Sequence, residues 1–418
     1  MKVIRSYIVV LVVVLSMIAG AASVFAAKED GVLKAAFVRN GDLWMKEGDL
    51  EKKLSSGPFI RNPKWSFDGE WIAYTKGEEE QELWLIQIQT GRSSLVSAEG
   101  GSNFQWAPNR NMLAFQTPQL LQYVDVKRPD KPLSSAKRIG NYSWLPDGKG
   151  FFASTQSELL SDGWTPVILY QIPLNALADP IKYVTLHVLP KPSDDFFAIG
   201  TSIFKWSADG RWIAFLATPT ASLSADSNTL CVLRSDGVVF RTLDQMANND
   251  QWFEWAADGA RLAYIGGVGR EASVNKQLKV LEVVSGKSAL YTPKGYVDQS
   301  FTWRGPQHIV VSRAVEAERW GDPAKRKKPF LVDVELASGE QSRLTKPPGA
   351  FGAYNPVSVP PKLAWIRYNG SIANVIVANT NGCHAVEWIK SIDPAAHYYE
   401  QWDWNAVLQF YKRAGHSE

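Results

Sequence analysis

The chain has 418 residues, 45 basic against 42 acidic side chains, and 12% aromatics including 17 Trp. A formal charge of +3 provides no bulk field to attract nucleic acid or an anionic membrane. Only two cysteines are present, so cross-links cannot be what holds a fold of this length together.

At the N-terminus, Lys2 and Arg5 precede an apolar run from Tyr7 to Ala19, and small residues lead to Val24-Phe25-Ala26. This is the layout of an export signal, residues 1–26, with cleavage expected after Ala26. No cysteine follows the run, which argues against a lipoprotein anchor; an uncleaved signal would instead leave one membrane anchor. Cleavage leaves 43 basic and 42 acidic side chains, a charge of +1. Residues 27–418 then read as one domain.

Behind the signal, Leu33 to Phe37, Leu43 to Met45 and Lys52 to Ser55 read as three short strands. A phrase follows that occurs six times. Its first copy is Asn62-Pro63-Lys64-Trp65-Ser66-Phe67-Asp68-Gly69-Glu70-Trp71-Ile72-Ala73-Tyr74, with variants around Trp106, Trp144, Trp206, Trp255 and Trp303. Each copy reads as two strands joined at the Asp-Gly pair, whose residues tolerate positive φ in a two-residue hairpin connection. An aromatic residue two places before the motif tryptophan (Phe104, Tyr142, Phe204, Phe253, Phe301) shares its face, so each copy offers an aromatic pair to one neighbour. The first copy has Pro63 there instead.

Successive motif tryptophans lie 41, 38, 62, 49 and 48 residues apart, which brackets the roughly 40 to 50 residues of a four-stranded propeller blade. Alternating segments between the motifs, such as Leu83 to Ile88 and Leu278 to Val283, read as third strands. The expected fold is all-β, a β-propeller of four-stranded blades. The Trp-Ser-x-Asp-Gly-x-x-Ile-Ala-Tyr/Phe phrase, across residues 32 to 412, resembles the WD40-like repeat of TolB-type propellers, which prolyl oligopeptidase-like enzymes share in their propeller domains. The resemblance implies the ring fold. It does not extend to the α/β domain that precedes the TolB propeller, so a role in the Tol envelope system is not implied. The Gly-x-Ser-x-Gly elbow of the peptidase relatives is missing as well.

The blade count depends on the two ends. A worn copy runs from Asn355 to Ile366, and Trp402-Asp403-Trp404 followed by Ala406 to Phe410 repeats the aromatic pair and the apolar strand. If that last segment completes the blade begun by the three N-terminal strands, the ring has eight blades; seven is the alternative. Closure through both termini removes open sheet edges. A helix framed by Asp393, Pro394 and Gly415 competes with the strand reading of the tail, against the alternation of Tyr398, Trp402, Trp404, Ala406, Leu408 and Phe410.

Motifs for chemistry are scarce. The five histidines are scattered without metal-ligand spacing, and no phosphate-cradling or dinucleotide loop occurs, so neither metal nor cofactor is expected. The recurring Asp of Asp-Gly is explained by turn geometry. Cys231 and Cys383 fall about three blades apart, too far for a disulfide. Lys325-Arg326-Lys327-Lys328 reads as a solvated loop tip.

What varies between copies points to function. Loops between second and third strands, and between blades, lengthen and open on one face. The longest, Ser157 to Thr165, Pro190 to Thr201 and Arg313 to Lys328, carry Trp164, Asp194, Asp195, Phe196, Phe197, Arg319 and Trp320, a mixture suited to protein or glycan contact. A reading in which these aromatics tuck back onto the ring stands beside it. The expectation is an exported, monomeric, non-catalytic propeller at the cell envelope that binds a protein or glycan, not nucleic acid. The alternative is an extracytoplasmic hydrolase or lyase acting on carbohydrate, with acids at the channel mouth; propellers host both.

Overall fold

The computed structural model describes residues 32–412 apart from 119, 192, 194, 195, 221–226, 319, 320, 323 and 324. The export signal and its cleavage site lie outside the described residues, as does Gly415. From Lys34 onward the chain forms an all-β ring of eight blades, each built from four antiparallel strands.

Blade 1 joins the two ends of the chain. Lys34–Arg39, Asp42–Glu47 and Leu50–Ser55 supply its outer three strands and Leu408–Phe410 its innermost one. Ala35 lies opposite Phe410, Ala36 opposite Gln409 and Phe37 opposite Leu408. Blades 2 to 8 follow in chain order, with innermost strands Arg61–Trp65, Ser102–Trp106, Ile139–Trp144, Lys205–Trp206, Phe253–Trp255, Tyr296–Trp303 and Gly352–Val359. In blade 5 that strand is split, with Gly200–Thr201 as its second piece. The worn copy makes a full blade, because Lys362–Tyr368, Ala373–Asn379 and Val386–Ile392 complete it.

The tail differs from expectation in detail. Leu408–Phe410 is itself the innermost strand, with Phe410 at the tryptophan position, so Trp402-Asp403-Trp404 lies outside the blade. Those residues belong to segment 393–407, which holds a small hairpin, His397–Tyr398 with Gln401–Trp402, and one 3-10 turn at Trp404–Ala406. Alternating apolar residues mark any half-buried extended segment, and here four of the six, Tyr398, Trp402, Trp404 and Ala406, lie outside the blade's ladder.

The repeat's turn also differs. Arg61–Trp65 gives way to Trp71–Lys76, so residues 66–70 make the connection, not two residues alone. The Ser66 amide donates to Trp71 O at 2.9 Å, and the Gly69 amide donates to Ser66 O at 3.0 Å, closing a tight turn inside the loop. Only the glycine takes positive φ, +71° at Gly69 and +68° at Gly210, a region that costs a Cβ-bearing residue strain. The aspartate acts through its side chain. Asp68 Oδ1 accepts from Ser66 Oγ (2.7 Å) and from the Glu70 amide (2.9 Å), while Ser66 Oγ accepts from the Trp71 amide (3.0 Å). Asp209 repeats the set with Ser207 and Arg211.

Burial pushes both carboxyls up, but these hydrogen bonds outweigh it and hold Asp68 and Asp209 below the ordinary value of 3.8. Their contribution to stability is therefore complete above that value and is lost as pH falls through the lowered one. Asp209→Asn is expected to flatten the acid limb of a plot of Tm against pH. An acid limb of unchanged slope would assign the sensitivity to other carboxylates.

Motif tryptophans tie each blade to the one before it. The indole N–H groups of Trp65, Trp106, Trp144, Trp255 and Trp303 donate to the carbonyls of Gln409, Lys64, Gln105, Lys205 and Glu254 at 2.8–3.1 Å. The residue before the tryptophan reaches forward: Lys64 Nζ, Gln105 Nε2 and Lys205 Nζ donate to the carbonyls of Phe104, Tyr142 and Phe253, each at 2.9 Å. Trp206 is the exception, since its Nε1 is buried without an acceptor among the described residues. Trp255→Phe should therefore lose about 1–3 kcal/mol, because the Lys205 carbonyl loses its donor, and Trp206→Phe should lose less. Chemical denaturation of both variants measures this; equal losses would make ring volume, not the indole bond, the cause.

Candidate functional site at the channel mouth

Innermost strands line the channel, and several carry a kink near the start or in the middle. Asn62, Asn103 and Asn355 take positive φ (55°, 49° and 45°), and the ladder register shifts at each. Asparagine enters this region more readily than other residues with a Cβ, and a bulge there turns the strand end toward the mouth. Asn103 Nδ2 donates to Asn141 Oδ1 (2.6 Å), and Asn141 Nδ2 to Thr201 O (2.9 Å), which links blades 3, 4 and 5. Sequence reasoning passed over these residues. The signal was an asparagine three places before the motif tryptophan in each of the first three copies.

Across the ring, blades 6, 7, 8 and 1, with Lys205 of blade 5, leave a cavity of about 210 Å³. Gln251 and Glu254 of blade 6, Gln299 of blade 7, Tyr354 and Asn355 of blade 8, and Gln409 of blade 1 stand in its wall. Segment 393–407 forms the remaining side with Glu400, Trp402, Trp404 and Asn405.

That segment connects blade 8 to Leu408–Phe410, yet it crosses to blades 6 and 7 like a strap. The Ala272 amide donates to Tyr399 O (3.0 Å), Gln401 Nε2 to Arg270 O (2.7 Å) and Gln251 Nε2 to Asp403 Oδ1 (2.8 Å). Arg326 pairs with Glu400 and lies 3.8 Å from Glu271. The basic cluster is thus divided: Lys325, Lys327 and Lys328 are exposed, whereas Arg326 is drawn in to hold the strap. At the strap's tip Tyr399 and Glu400 take positive φ, 48° and 65°, the backbone of a two-residue primed turn usually given to glycine or asparagine. Such strain persists where surrounding contacts over-determine the conformation.

Aromatic rings fill the strap's underside. Trp402 and Trp404 stack at 5.6 Å and 20°, and both meet Tyr354 and Tyr368 at 5.2–6.1 Å. Trp404 is 2% exposed, and its Nε1 finds no acceptor among the described residues. Burial pushes the Tyr354 phenol well up, and nearby Glu400 and Tyr368 act in the same direction.

Charges on the channel wall are mostly committed. Lys205 Nζ donates to Asp250 O (2.6 Å) as well as to Phe253 O. Lys64 is half-buried, and desolvation pushes its ammonium pKa down, against the upward pull of Asp250, Asp403 and Glu80. By contrast, the side chains of Glu254, Gln299, Asn405 and Gln409 engage no hydrogen bond among the described residues.

Of the residues singled out in the sequence, Asp194, Asp195, Arg319 and Trp320 lie outside the described residues. Trp164 is half-buried in a small hairpin, Leu159–Leu160 with Gly163–Trp164, inserted in blade 4. Phe196 is 7% exposed and packs against Phe240 at 6.1 Å in the core between blades 4 and 5; Phe197 beside it is half-buried. None of these three lines the cavity. Cys231 is buried, with its thiol pushed well up by burial, and Cys383 is exposed; neither forms a disulfide. Among the described residues there is no cluster of three His, Cys, Asp or Glu placed to hold a metal, and no helix long and apolar enough to cross a membrane.

No protein-family model and no curated protein sequence matches the chain. Among solved structures, a eukaryotic initiation factor superposes with a TM-score of 0.54 at 12% identity, over 88% of this chain and 90% of that one. A puromycin-hydrolyzing peptidase from Mycobacterium tuberculosis gives 0.50 at 15% identity, over 79% and 53%. This chain spans about half the length of the puromycin-hydrolysing enzymes it matches. TolB from Acinetobacter baumannii gives 0.35 at 17% identity, over 74% and 62%. At such identities a likeness reaches the fold and no further. The chain is, in architecture, an eight-bladed β-propeller similar in fold to the first two of these proteins.

Proposed function

We propose that this chain is an exported, non-catalytic β-propeller that binds a ligand or protein partner at the channel mouth, at the cell envelope. The observation that carries this reading is the strap. Segment 393–407 crosses the mouth in a strained conformation, held by Arg326 and Gln251, and encloses a cavity in which the carboxamides of Gln299, Asn405 and Gln409 are open. Export rests on the Lys2 to Ala26 pattern. Trp164 and Phe197, in the long loops that the sequence marks out, extend the contact surface for a larger partner.

A carbohydrate hydrolase or lyase is the second reading. Glu254 and Glu400 in one cavity wall favour it, since paired carboxylates are the usual machinery for glycoside cleavage.

Co-purification of the tagged mature protein from its native envelope tests the binding reading. The recovered chain should begin at Ala27, and Gln299→Ala should lose the captured species at an unchanged melting temperature. Turnover of a captured glycan, abolished by Glu254→Gln, would replace binding with catalysis.

A further inference from the structure

The groups that the cavity leaves open describe the ligand's chemistry. Its charged side chains offset one another, Lys205 and Lys412 against Glu254 and Glu400. Two of the four are occupied, Lys205 by the carbonyls of Asp250 and Phe253 and Glu400 by Arg326. Lys412 is exposed to solvent. An anion would require convergent cationic donors, and Arg326, the guanidinium beside the mouth, is already held between Glu400 and Glu271.

Neutral polar groups dominate instead. Five carboxamides line the cavity, Gln251, Gln299, Asn355, Asn405 and Gln409. Each can donate and accept at once, as a hydroxyl can, so carboxamides match hydroxyl-bearing ligands without fixing a charge. Trp402, Phe301 and Val357 add apolar surface suited to C–H faces. A volume of about 210 Å³ falls below the roughly 300–1,000 Å³ of pockets for drug-sized molecules. Two further observations mark the strap side of the wall as built for a ligand: the positive φ of Glu400, and the acceptor-less, buried N–H of Trp404.

The geometry points to a neutral, polyhydroxylated molecule the size of a single sugar ring, held by Gln299, Asn405 and Gln409 against the Trp402 face. This rests on the binding reading above and narrows it to a class of ligand. Ring hydroxyls exchange hydrogen bonds with the three open carboxamides, and the strap supplies one of them together with the aromatic wall.

Tryptophan fluorescence and calorimetric titration of the mature protein test it, with glucose and N-acetylglucosamine as probes and inorganic phosphate and the dipeptide Ala-Ala as counter-probes. At least one sugar should saturate the protein, and Gln299→Ala and Asn405→Ala should each weaken it about fivefold or more, the loss of one hydrogen bond. Gln409→Ala, in the ring-closing strand, is read only alongside its melt. Saturation by phosphate or dipeptide without sugar overturns the ligand class while leaving the mouth as a binding site. A sugar bound equally by both variants, or no titration by any of the four probes, overturns the inference. The binding reading itself fails by a different result, capture of an envelope partner that ignores Gln299→Ala.

Discussion

A chain ending at Val407 is expected to lose its cooperative melt and collect in the insoluble fraction. Leu408–Phe410 is the innermost strand of blade 1, and its removal leaves Lys34–Arg39 with an unpaired edge facing the channel. Open edges of this kind template association with other chains. Leu408 and Phe410 are each 3% exposed, so burial of the pair contributes about 3–6 kcal/mol. Further contacts are lost with them. Trp65 Nε1 loses the Gln409 carbonyl, and Trp388 loses a stacked ring at 5.7 Å and 14°. Against a typical net stability of about 5–15 kcal/mol, that sum removes a large share of the margin. Solubility and calorimetry of the truncated chain, beside Phe410→Ala, check it. A soluble product with one cooperative transition would reject ring closure by this strand.

Asp298→Ala should be the most damaging single substitution in blade 7, at about 3–5 kcal/mol. Asp298 is fully buried and Arg313 is 3% exposed. They meet through two bonds, Arg313 Nε to Oδ1 at 2.7 Å and Nη2 to Oδ2 at 2.8 Å. Thr292 Oγ1 donates to Oδ2 at 2.6 Å, and Arg313 also reaches Gln341 and Tyr291 O. Removing the carboxylate strands a buried guanidinium, which costs more than the pair contributes. The double variant Asp298→Leu with Arg313→Met should recover much of the loss, since neither charge is then left alone. Urea titration of the three proteins separates these outcomes. A double variant as unstable as Asp298→Ala would make packing, not the stranded charge, the cause.

Much of the ring was legible because its signals are short-range. The tryptophan phrase, the aromatic residue two places before it and the Asp-Gly turn recur within about a dozen residues, and each names a strand, a face or a corner. The turn's mechanism was misjudged all the same. Glycine's positive φ is a backbone property that composition reveals, whereas the Asp68 carboxylate bridging Ser66 and Glu70 depends on a longer loop. The site was less legible. Large aromatics in long loops are an ambiguous signal, and Phe196 illustrates why: its ring is as suited to the core beside Phe240 as to a partner.

The sequence by itself determined the all-β, four-stranded blade, because strand period, turn residues and repeat length are local and are written many times; it left eight blades beside seven, and the pairing of Leu408–Phe410 with Lys34–Arg39 decided between them. Only the tertiary structure decided which residues meet at the channel mouth. Arg326 finds Glu400 across 74 residues and Gln251 finds Asp403 across 152. Pairs so far apart, each occurring once, leave no periodic trace in the chain, and nothing short of the folded ring brings them together.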